Sequence, residues 1–323
     1  MSHGNSNRTH LGGTFCLAVS AVLLLFSVTS CASSRQPEME KASTAPNEKM
    51  QNGAPASGGA SSGGAASAGA GGTIERDGNE SAEAPWWEIK TSTENIVEGN
   101  NYFKKGEYQK AEIAYRKALK KDPNNPTAIN NLGVILNELG KYDEAIPLLQ
   151  KGISIDPKNA IAHYVLGKSL NQKDRYSEAL PEAKLATELD PTDPIGYRTL
   201  GEAALGLVHA NPADESDLDT AISALERATE IDDTHDLTWF RLAEAYGLKG
   251  DFQAQSDALE KAIELNPNNV TYRLHRVIPL IKLKHDEEAI AELNKVLKMD
   301  PKNNEAQMLL GQITKTKSSS PTQ

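Results

Sequence analysis

The chain has 323 residues, and its 34 Lys and Arg against 44 Asp and Glu leave a formal net charge of −10 at pH 7. Proteins that bind nucleic acids present a basic face to the phosphates, so this balance favours no DNA or RNA partner. The average conceals segments of very different composition, which follow one another along the chain.

An apolar segment lies close to the N-terminus. Residues 1–10 contain one Arg and no acidic residue, and residues 11–28 are apolar apart from small side chains. This pattern is typical of a secretion signal, and it predicts a signal peptide over residues 1–30. An uncleaved signal anchor and a secretory peptide that is cleaved elsewhere are the alternatives.

The chain has two cysteines, Cys16 inside the apolar segment and Cys31 at its end. Cleavage before Cys31 removes Cys16, so no disulfide can form within one mature chain. The tetrad Val28-Thr29-Ser30-Cys31 resembles the bacterial lipobox, whose cysteine is lipidated. The resemblance implies a stable anchor of two or three acyl chains on Cys31. Ala32, and not Asp, follows Cys31. In enteric bacteria this pattern is similar to that of outer-membrane lipoproteins, which predicts a location at the outer membrane, facing the periplasm.

Residues 31–85 are rich in Ser, Gly, Ala, Pro and Glu and have almost no branched or aromatic side chains. This composition cannot bury enough apolar surface to offset the entropy of ordering, so it predicts a disordered tether. Trp86 and Trp87 follow directly. They either cover the open end of the first folded unit or form an exposed patch for a partner.

Prolines that follow Asp or Asn recur through the rest of the chain, at Pro123, Pro157, Pro191, Pro267 and Pro301. Three of the four intervals are 34 residues, and the remaining interval is twice 34 plus 8. A fixed period of this length indicates stacked helical or mixed units. It predicts repeats over 92–125, 126–159, 160–193, 194–235, 236–269 and 270–303. The eight extra residues fall at 209–216, where they predict a longer loop that could also dock a partner.

Small residues recur at two fixed positions of these repeats, where they let two helices approach closely. They are Gly99, Gly133, Gly167 and Gly201 in the first half and Ala111, Ala145, Ala179 and Ala221 in the second. Together with the prolines, this pattern resembles the tetratricopeptide repeat (TPR) family. The resemblance implies an all-α, right-handed solenoid of about six helix pairs within a domain over 86–316. Residues 304–316 are predicted to form a capping helix and 317–323 a disordered tail.

In known TPR proteins the first helix of each repeat lines a concave groove, and the resemblance assigns groove residues to this chain. They are Asn100, Phe103, Asn130, Asn131, Val134, Asn137, Tyr164, Lys168, Asn171, Arg198, Glu202, Leu205, Phe240, Arg241, Glu244, His275 and Ile278. Amides can bond a peptide backbone while rings take side chains, which predicts an extended peptide or a partner helix as ligand. An ordinary solvated inner face is the alternative. Glu292 and Lys295 are expected on the exposed outer face.

Patterns typical of catalysis or metal binding are missing from the sequence. The seven His include no pair four residues apart, and no phosphate loop or nucleophile elbow occurs. We therefore expect no enzymatic activity, cofactor, metal or small-molecule substrate.

The predicted function is a membrane-anchored TPR scaffold that binds protein partners and supports assembly of an envelope complex. The architecture is similar to that of the pilotin lipoproteins of type IV pili and of TPR lipoproteins that gather cell-wall hydrolases. A chaperone-like receptor for secreted or envelope peptides is the alternative function.

Overall fold

The structure, a computed structural model, describes residues 90–211 and 216–319. The predicted signal peptide, Cys31, the tether and Trp86-Trp87 lie outside the described residues. Within these two ranges all regular structure is α-helical, and none of the helices is long and apolar enough to cross a membrane.

Thirteen helices follow one another in the described residues. The first helices of six pairs are α1 (Ser92–Lys104), α3 (Pro126–Glu138), α5 (Ala160–Asn171), α7 (Pro194–Ala210), α9 (Asp236–Lys249) and α11 (Val270–Lys282). The second helices are α2 (Tyr108–Lys121), α4 (Tyr142–Ile155), α6 (Tyr176–Leu189), α8 (Ser216–Ile231), α10 (Phe252–Leu265) and α12 (Asp286–Met299). Helix α13 (Asn304–Ser319) packs on α12. The prediction of an all-α solenoid of six helix pairs and a final helix is confirmed.

The Asp-Pro turns end one repeat and start the next. After α4, the backbone N–H of Asp156 donates to the carbonyl of Gly152, and Pro157 disfavours further helix. Asn159 then caps α5, because its Oδ1 accepts a hydrogen bond from the backbone N–H of Ala162 at 3.1 Å. Both ends of the turn are therefore specified by local chemistry.

Close approach of the two helices in a repeat depends on small residues. A Cβ on Gly133 would lie 2.5 Å from Cδ2 of Leu149, which is fully buried in the facing helix α4. In the third repeat Ala183 takes the place of that leucine, and a Cβ on Gly167 would instead lie 3.0 Å from the methyl group of Thr199. The same small residue thus serves two different contacts.

A side-chain N–H at the fourth residue of several first helices donates to a carbonyl six residues earlier. The pairs are His163 with Pro157, Trp239 with Asp233, Arg273 with Pro267, and Gln307 of α13 with Pro301, at 2.8–3.0 Å. Each bond satisfies a turn carbonyl outside the helical ladder. Four different residue types therefore form the same kind of hydrogen bond, which links each helix to the turn before it.

The fourth repeat differs from the prediction of a longer loop. Helix α7 has 17 residues and α8 has 16, so much of the insertion lengthens the two helices. His209 lies in the last turn of α7, and residues 212–215 lie outside the described residues. The extension packs on the third repeat, because the ring of Tyr176 lies directly over Gly206.

Candidate functional site

The first helices form one side of the solenoid. Helices α1 and α3, α3 and α5, α5 and α7, and α7 and α9 contact one another, whereas the second helices pack mainly on the first helices that flank them. Crowding of the first helices makes their side the concave one. We call the exposed surface of the first helices on this side the inner face.

In the first three repeats the predicted groove asparagines join neighbouring first helices. Nδ2 of Asn131 donates to Oδ1 of Asn100 at 2.9 Å, Nδ2 of Asn137 to Oγ of Ser169 at 2.8 Å, and Nδ2 of Asn171 to the carbonyl of Thr199 at 3.1 Å. Asn131, Asn137 and Asn171 are buried. The expectation that these amides are free for a peptide backbone therefore needs correction, because their donors already link the repeats.

Other predicted groove residues of this half are also enclosed. Asn130 faces Gly152 of α4, and its Oδ1 is buried without a hydrogen-bond partner among the described residues. Phe103, Val134 and Tyr164 are buried, and burial raises the pKa of Tyr164. Asn100 and Lys168 keep partial exposure, with Nζ of Lys168 at 3.5 Å from Oε1 of Glu138. This half of the inner face offers few accessible polar groups.

The second half of the inner face contains a fixed carboxylate. Oε1 of Glu244 accepts a hydrogen bond from Nε2 of His209 at 3.1 Å, and its Oε2 lies 3.0 Å from a guanidinium nitrogen of Arg241. Burial would raise the pKa of Glu244, but the bond from His209 and the charge of Arg241 outweigh it and lower this pKa to about 2. Glu244 is therefore ionised at every physiological pH, although all three side chains remain partly exposed.

Aromatic rings lie beside this carboxylate. Phe240, which the sequence assigned to the groove, is only 8% exposed, because its ring stacks on that of Tyr272 with 4.9 Å between ring centres and meets the ring of His275 edge-on at 5.0 Å. Burial lowers the pKa of His275, so its imidazole is neutral at pH 7. These contacts join α9 to α11 and keep the polar groups above them in one arrangement.

Arg198 and Glu202 lie one turn apart on α7 but differ in their contacts. Arg198 is buried, and its guanidinium is 3.5 Å from Oδ2 of Asp232. Glu202 is half-buried and makes no ion pair with a described residue. Its carboxylate is therefore available to a ligand on the inner face.

Glu292 is not on the exposed outer face as the sequence predicts. It is 4% exposed, and its carboxylate contacts Arg273 at 2.7 Å, Lys295 at 2.9 Å and Arg276 at 3.5 Å. The signal for this burial was the pair of arginines on α11, since Arg276 occupies the repeat position that holds a leucine in the second to fifth repeats. Lys295 is exposed as expected.

The sequence placed His209 in the loop over 209–216 that could dock a partner, and its contact with Glu244 on the inner face was missed because an inserted residue has no counterpart in other repeats. Among the described side chains, no group of three or more His, Cys, Asp or Glu could hold a metal ion. The arrangement consists of charged groups and rings held by mutual contacts, which suits recognition of a polypeptide.

Several solved structures have a similar fold. They include a chain of the APC/C hetero-tetramer Cut9-Hcn1 (TM-score 0.55, 20% identity), pilF of Pseudomonas aeruginosa (0.56, 18%) and YrrB, described as a TPR protein with an unusual peptide-binding site (0.51, 18%). The matches cover 69%, 68% and 62% of this chain and 42%, 97% and 98% of those chains. This chain therefore spans less than half of the first protein. Likeness at such identities shows the fold alone.

Sequence comparison identifies the family directly. Two profiles, both described as tetratricopeptide repeat, match residues 96–160 and residues 136–203 and 249–313. No curated protein sequence matches the chain significantly. The profile matches cover more than half of the chain and agree with the six helix pairs, so the chain belongs to the tetratricopeptide repeat family.

Proposed function

We propose that this chain is a membrane-anchored scaffold that binds an extended segment of a partner protein on its inner face, over α7 to α11. The observation that carries the proposal is the contrast between the two halves of that face. The asparagines of the first half are buried and bonded between repeats, whereas Glu202, Arg241 and Glu244 keep partly exposed side chains. Groups that are already held in place bind a ligand at a lower entropic cost. Proteins of this family generally mediate protein–protein interactions, which supports the same role.

The charge of this region favours a basic partner segment. Residues 194–269 contain 15 acidic and 5 basic residues, a net charge equal to that of the whole chain. On the inner face, Glu202 has no described ion-pair partner, and Glu244 stays ionised. A Lys or Arg side chain of the partner would form an ion pair with Glu202, while an adjacent apolar side chain packs on the partly exposed Ile278.

The membrane anchor is the second component of the proposal. The tetrad ending in Cys31 supports lipidation, and the composition of residues 32–85 supports a flexible tether. A Gly- and Ser-rich chain of this length has an r.m.s. span of about 40 Å. The repeats would then stand clear of an outer membrane, in the periplasm, where they could support assembly of an envelope complex.

The test compares two charge reversals within the fourth repeat. Glu202→Arg alters the inner face, whereas Glu230→Arg makes the same change on α8 at a residue with a 63% exposed side chain. The tagged full chain is purified from its own membranes, the bound protein is identified, and its affinity for each variant is measured. We expect Glu202→Arg to weaken binding by about tenfold or more, equivalent to about 1.4 kcal/mol.

Glu230→Arg is the control, because it changes the net charge of the fourth repeat by the same amount as Glu202→Arg. Equal loss of affinity in both variants, or no loss in Glu202→Arg, would show that the partner docks elsewhere. One stoichiometric partner supports the scaffold, whereas a mixture of unrelated peptides would support the chaperone-like receptor instead.

A further inference from the structure

The first repeat has one side on which no helix of the described residues packs. Ile113 of α2 lies there and is 55% exposed, the highest value among the large apolar residues that the structure describes. Ile113 belongs to a depression of about 190 Å³, whose other lining residues are Glu98, Tyr102, Lys110, Ala114 and Lys117. We call this surface the N-terminal face.

The corresponding surface of the later repeats is buried under the second helix of the repeat before it. Leu132, Leu166, Leu200 and Leu242 occupy the repeat position of Glu98 and are only 2–8% exposed. Glu98 differs from these leucines, because its side chain stays 29% exposed and pairs with Lys90 at 2.8 Å. Tyr102 and Ile113 still present apolar surface there. A group that covers the N-terminal face therefore has to be small and mostly apolar, and it has to leave the charged side chains at the edge in contact with water.

The chain enters α1 along this face. Thr91 and Glu94 form a reciprocal capping pair, and Nδ2 of Asn95 donates to the carbonyl of Thr91 at 2.8 Å, so the entry is rigid. Nζ of Lys90 donates to Oε2 of Glu98 at 2.8 Å. Because Glu98 lines the depression, Lys90 lies at its rim. The residues before Lys90 therefore start next to the N-terminal face.

Distance allows the preceding tryptophans to reach the depression. Trp87 is three positions before Lys90, and three steps of an extended chain span about 10 Å. Along α1 the rise from Ser92 to Glu98 is about 9 Å. The chain between Trp87 and Lys90 is therefore long enough to run back along α1 as far as Glu98.

We propose that Trp86 and Trp87 cover the N-terminal face of the first repeat. An indole ring buries 150–250 Å² of mostly apolar surface and carries one N–H donor, for which the Glu98 carboxylate is an acceptor. Lysines already approach an aromatic ring here, since Nζ of Lys110 lies 5.6 Å from the ring centre of Tyr102. The same cations can lie over an indole. The tether would then leave the solenoid from its end and keep clear of the inner face.

The charge of the first repeat disfavours a second copy of the chain as the occupant. Residues 90–125 contain eight basic and five acidic residues, so two such ends would repel each other. The tryptophans, in contrast, are linked covalently to the face and have a high effective concentration there.

Tryptophan fluorescence tests the proposal in the full chain, purified in detergent. The chain has three tryptophans, and Trp239→Phe removes the one outside the pair. In this background we expect blue-shifted emission and weak quenching by acrylamide. Ile113→Lys should shift the emission to the red and increase quenching. Ile155→Lys, at a 43% exposed residue of α4, should change neither.

Emission that does not respond to Ile113→Lys would overturn the proposal, even if the rings are shielded from water, because another surface would then shield them. Emission that depends on protein concentration would point to a second copy, and emission that is blue-shifted only with anionic phospholipid vesicles would point to a lipid surface. Either outcome would contradict the assignment to Trp86-Trp87.

Urea unfolding provides an independent measurement. The double change Trp86→Ala and Trp87→Ala should lower the midpoint, and the same change in the Ile113→Lys background should lower it much less, because the contact is already lost. Fully additive shifts would contradict the contact.

Discussion

His163 of α5 contacts both the turn at the end of the second repeat and helix α6 of the third repeat through its two ring nitrogens. Nε2 lies 3.0 Å from the carbonyl of Pro157, and Nδ1 lies 2.6 Å from Oε2 of Glu182. The bond to Glu182 raises the pKa of His163, burial lowers it, and the Pro157 carbonyl raises it again, with a net increase. The imidazolium, which donates at both nitrogens, is therefore the form that the fold favours.

The pH dependence of stability follows from this increase. A raised pKa in the folded state stabilises the protein fully below the unfolded value near 6.5, and the contribution is lost as pH rises through the folded pKa. His163→Gln removes the charge but keeps a donor for the Pro157 carbonyl, as Gln307 does at the same repeat position. Urea unfolding at pH 5 to 9 should show a difference between wild type and variant that is on the order of 1 kcal/mol at acid pH and shrinks with rising pH. A constant difference would contradict the ionised pair.

Glu292 predicts a second effect at the scale of one residue. Glu292→Ala leaves Arg273 and Arg276, whose side chains are 11% exposed, without their shared carboxylate. Removing one partner of a buried ion pair is strongly destabilising, so the free energy of unfolding should fall by about 2–4 kcal/mol.

Glu264→Ala is the matched control for Glu292→Ala. It is also inside a second helix, but its side chain is 58% exposed and pairs only with Lys261. Its unfolding midpoint should stay close to that of wild type, since exposed pairs contribute little. Similar losses in both variants would mean that Glu292 acts through the helix and not through the arginines.

The helix pair is the unit in which small residues determine geometry. In the second repeat a fully buried leucine of α4 fills the space next to Gly133 of α3. Buried leucine cannot move aside without opening a cavity, so the distance between the two helices depends on the absence of a side chain at Gly133.

Gly133→Ala tests this distance. The added Cβ would lie 2.5 Å from Cδ2 and 2.7 Å from Cγ of Leu149, so overpacking should lower the free energy of unfolding by about 1–3 kcal/mol. Gly311→Ala in α13 meets no atom within 4 Å and should instead stabilise by about 0.5–1 kcal/mol through helix propensity. Chemical denaturation measures both. Stabilisation by both changes would show that the space between α3 and α4 accommodates a methyl group at residue 133.

For the whole molecule, the repeats form the surface that we propose for binding, and the predicted anchor would determine its location. Each repeat is stabilised mainly by its neighbours, so the solenoid presents an extended face and does not enclose a pocket. The proposed location at a membrane rests on a segment that lies outside the described residues, where Cys31 is the predicted site of lipidation.

Cys31→Ser tests the predicted anchor. The variant should lose its acyl chains, because serine lacks the sulfur that accepts them, and should leave the membrane fraction as an unprocessed or soluble form. Cys16→Ser changes the other cysteine and should leave membrane association intact. Cell fractionation and labelling with a fatty acid provide the readout. Label on Cys31→Ser would contradict a lipoprotein.

The sequence by itself determined the fold class and the repeated helix pairs. Pro123, Pro157, Pro191, Pro267 and Pro301 stand in the turns between repeats, and small residues such as Gly133 mark the close approach of two helices. These signals are local or recur at one period, so they can be identified without knowing which side chains meet. The same reasoning recognised the family.

Only the tertiary structure decided which groove residues are accessible. Asn131, Asn137 and Asn171 find their partners 28–32 residues away, and those distances depend on the angle between neighbouring first helices. Glu292 is buried because two arginines of α11 face it, and His209 reaches Glu244 because the insertion extends α7. Repeat position alone assigns a residue to the inner face, but the packing of adjacent repeats determines whether its polar atoms remain free.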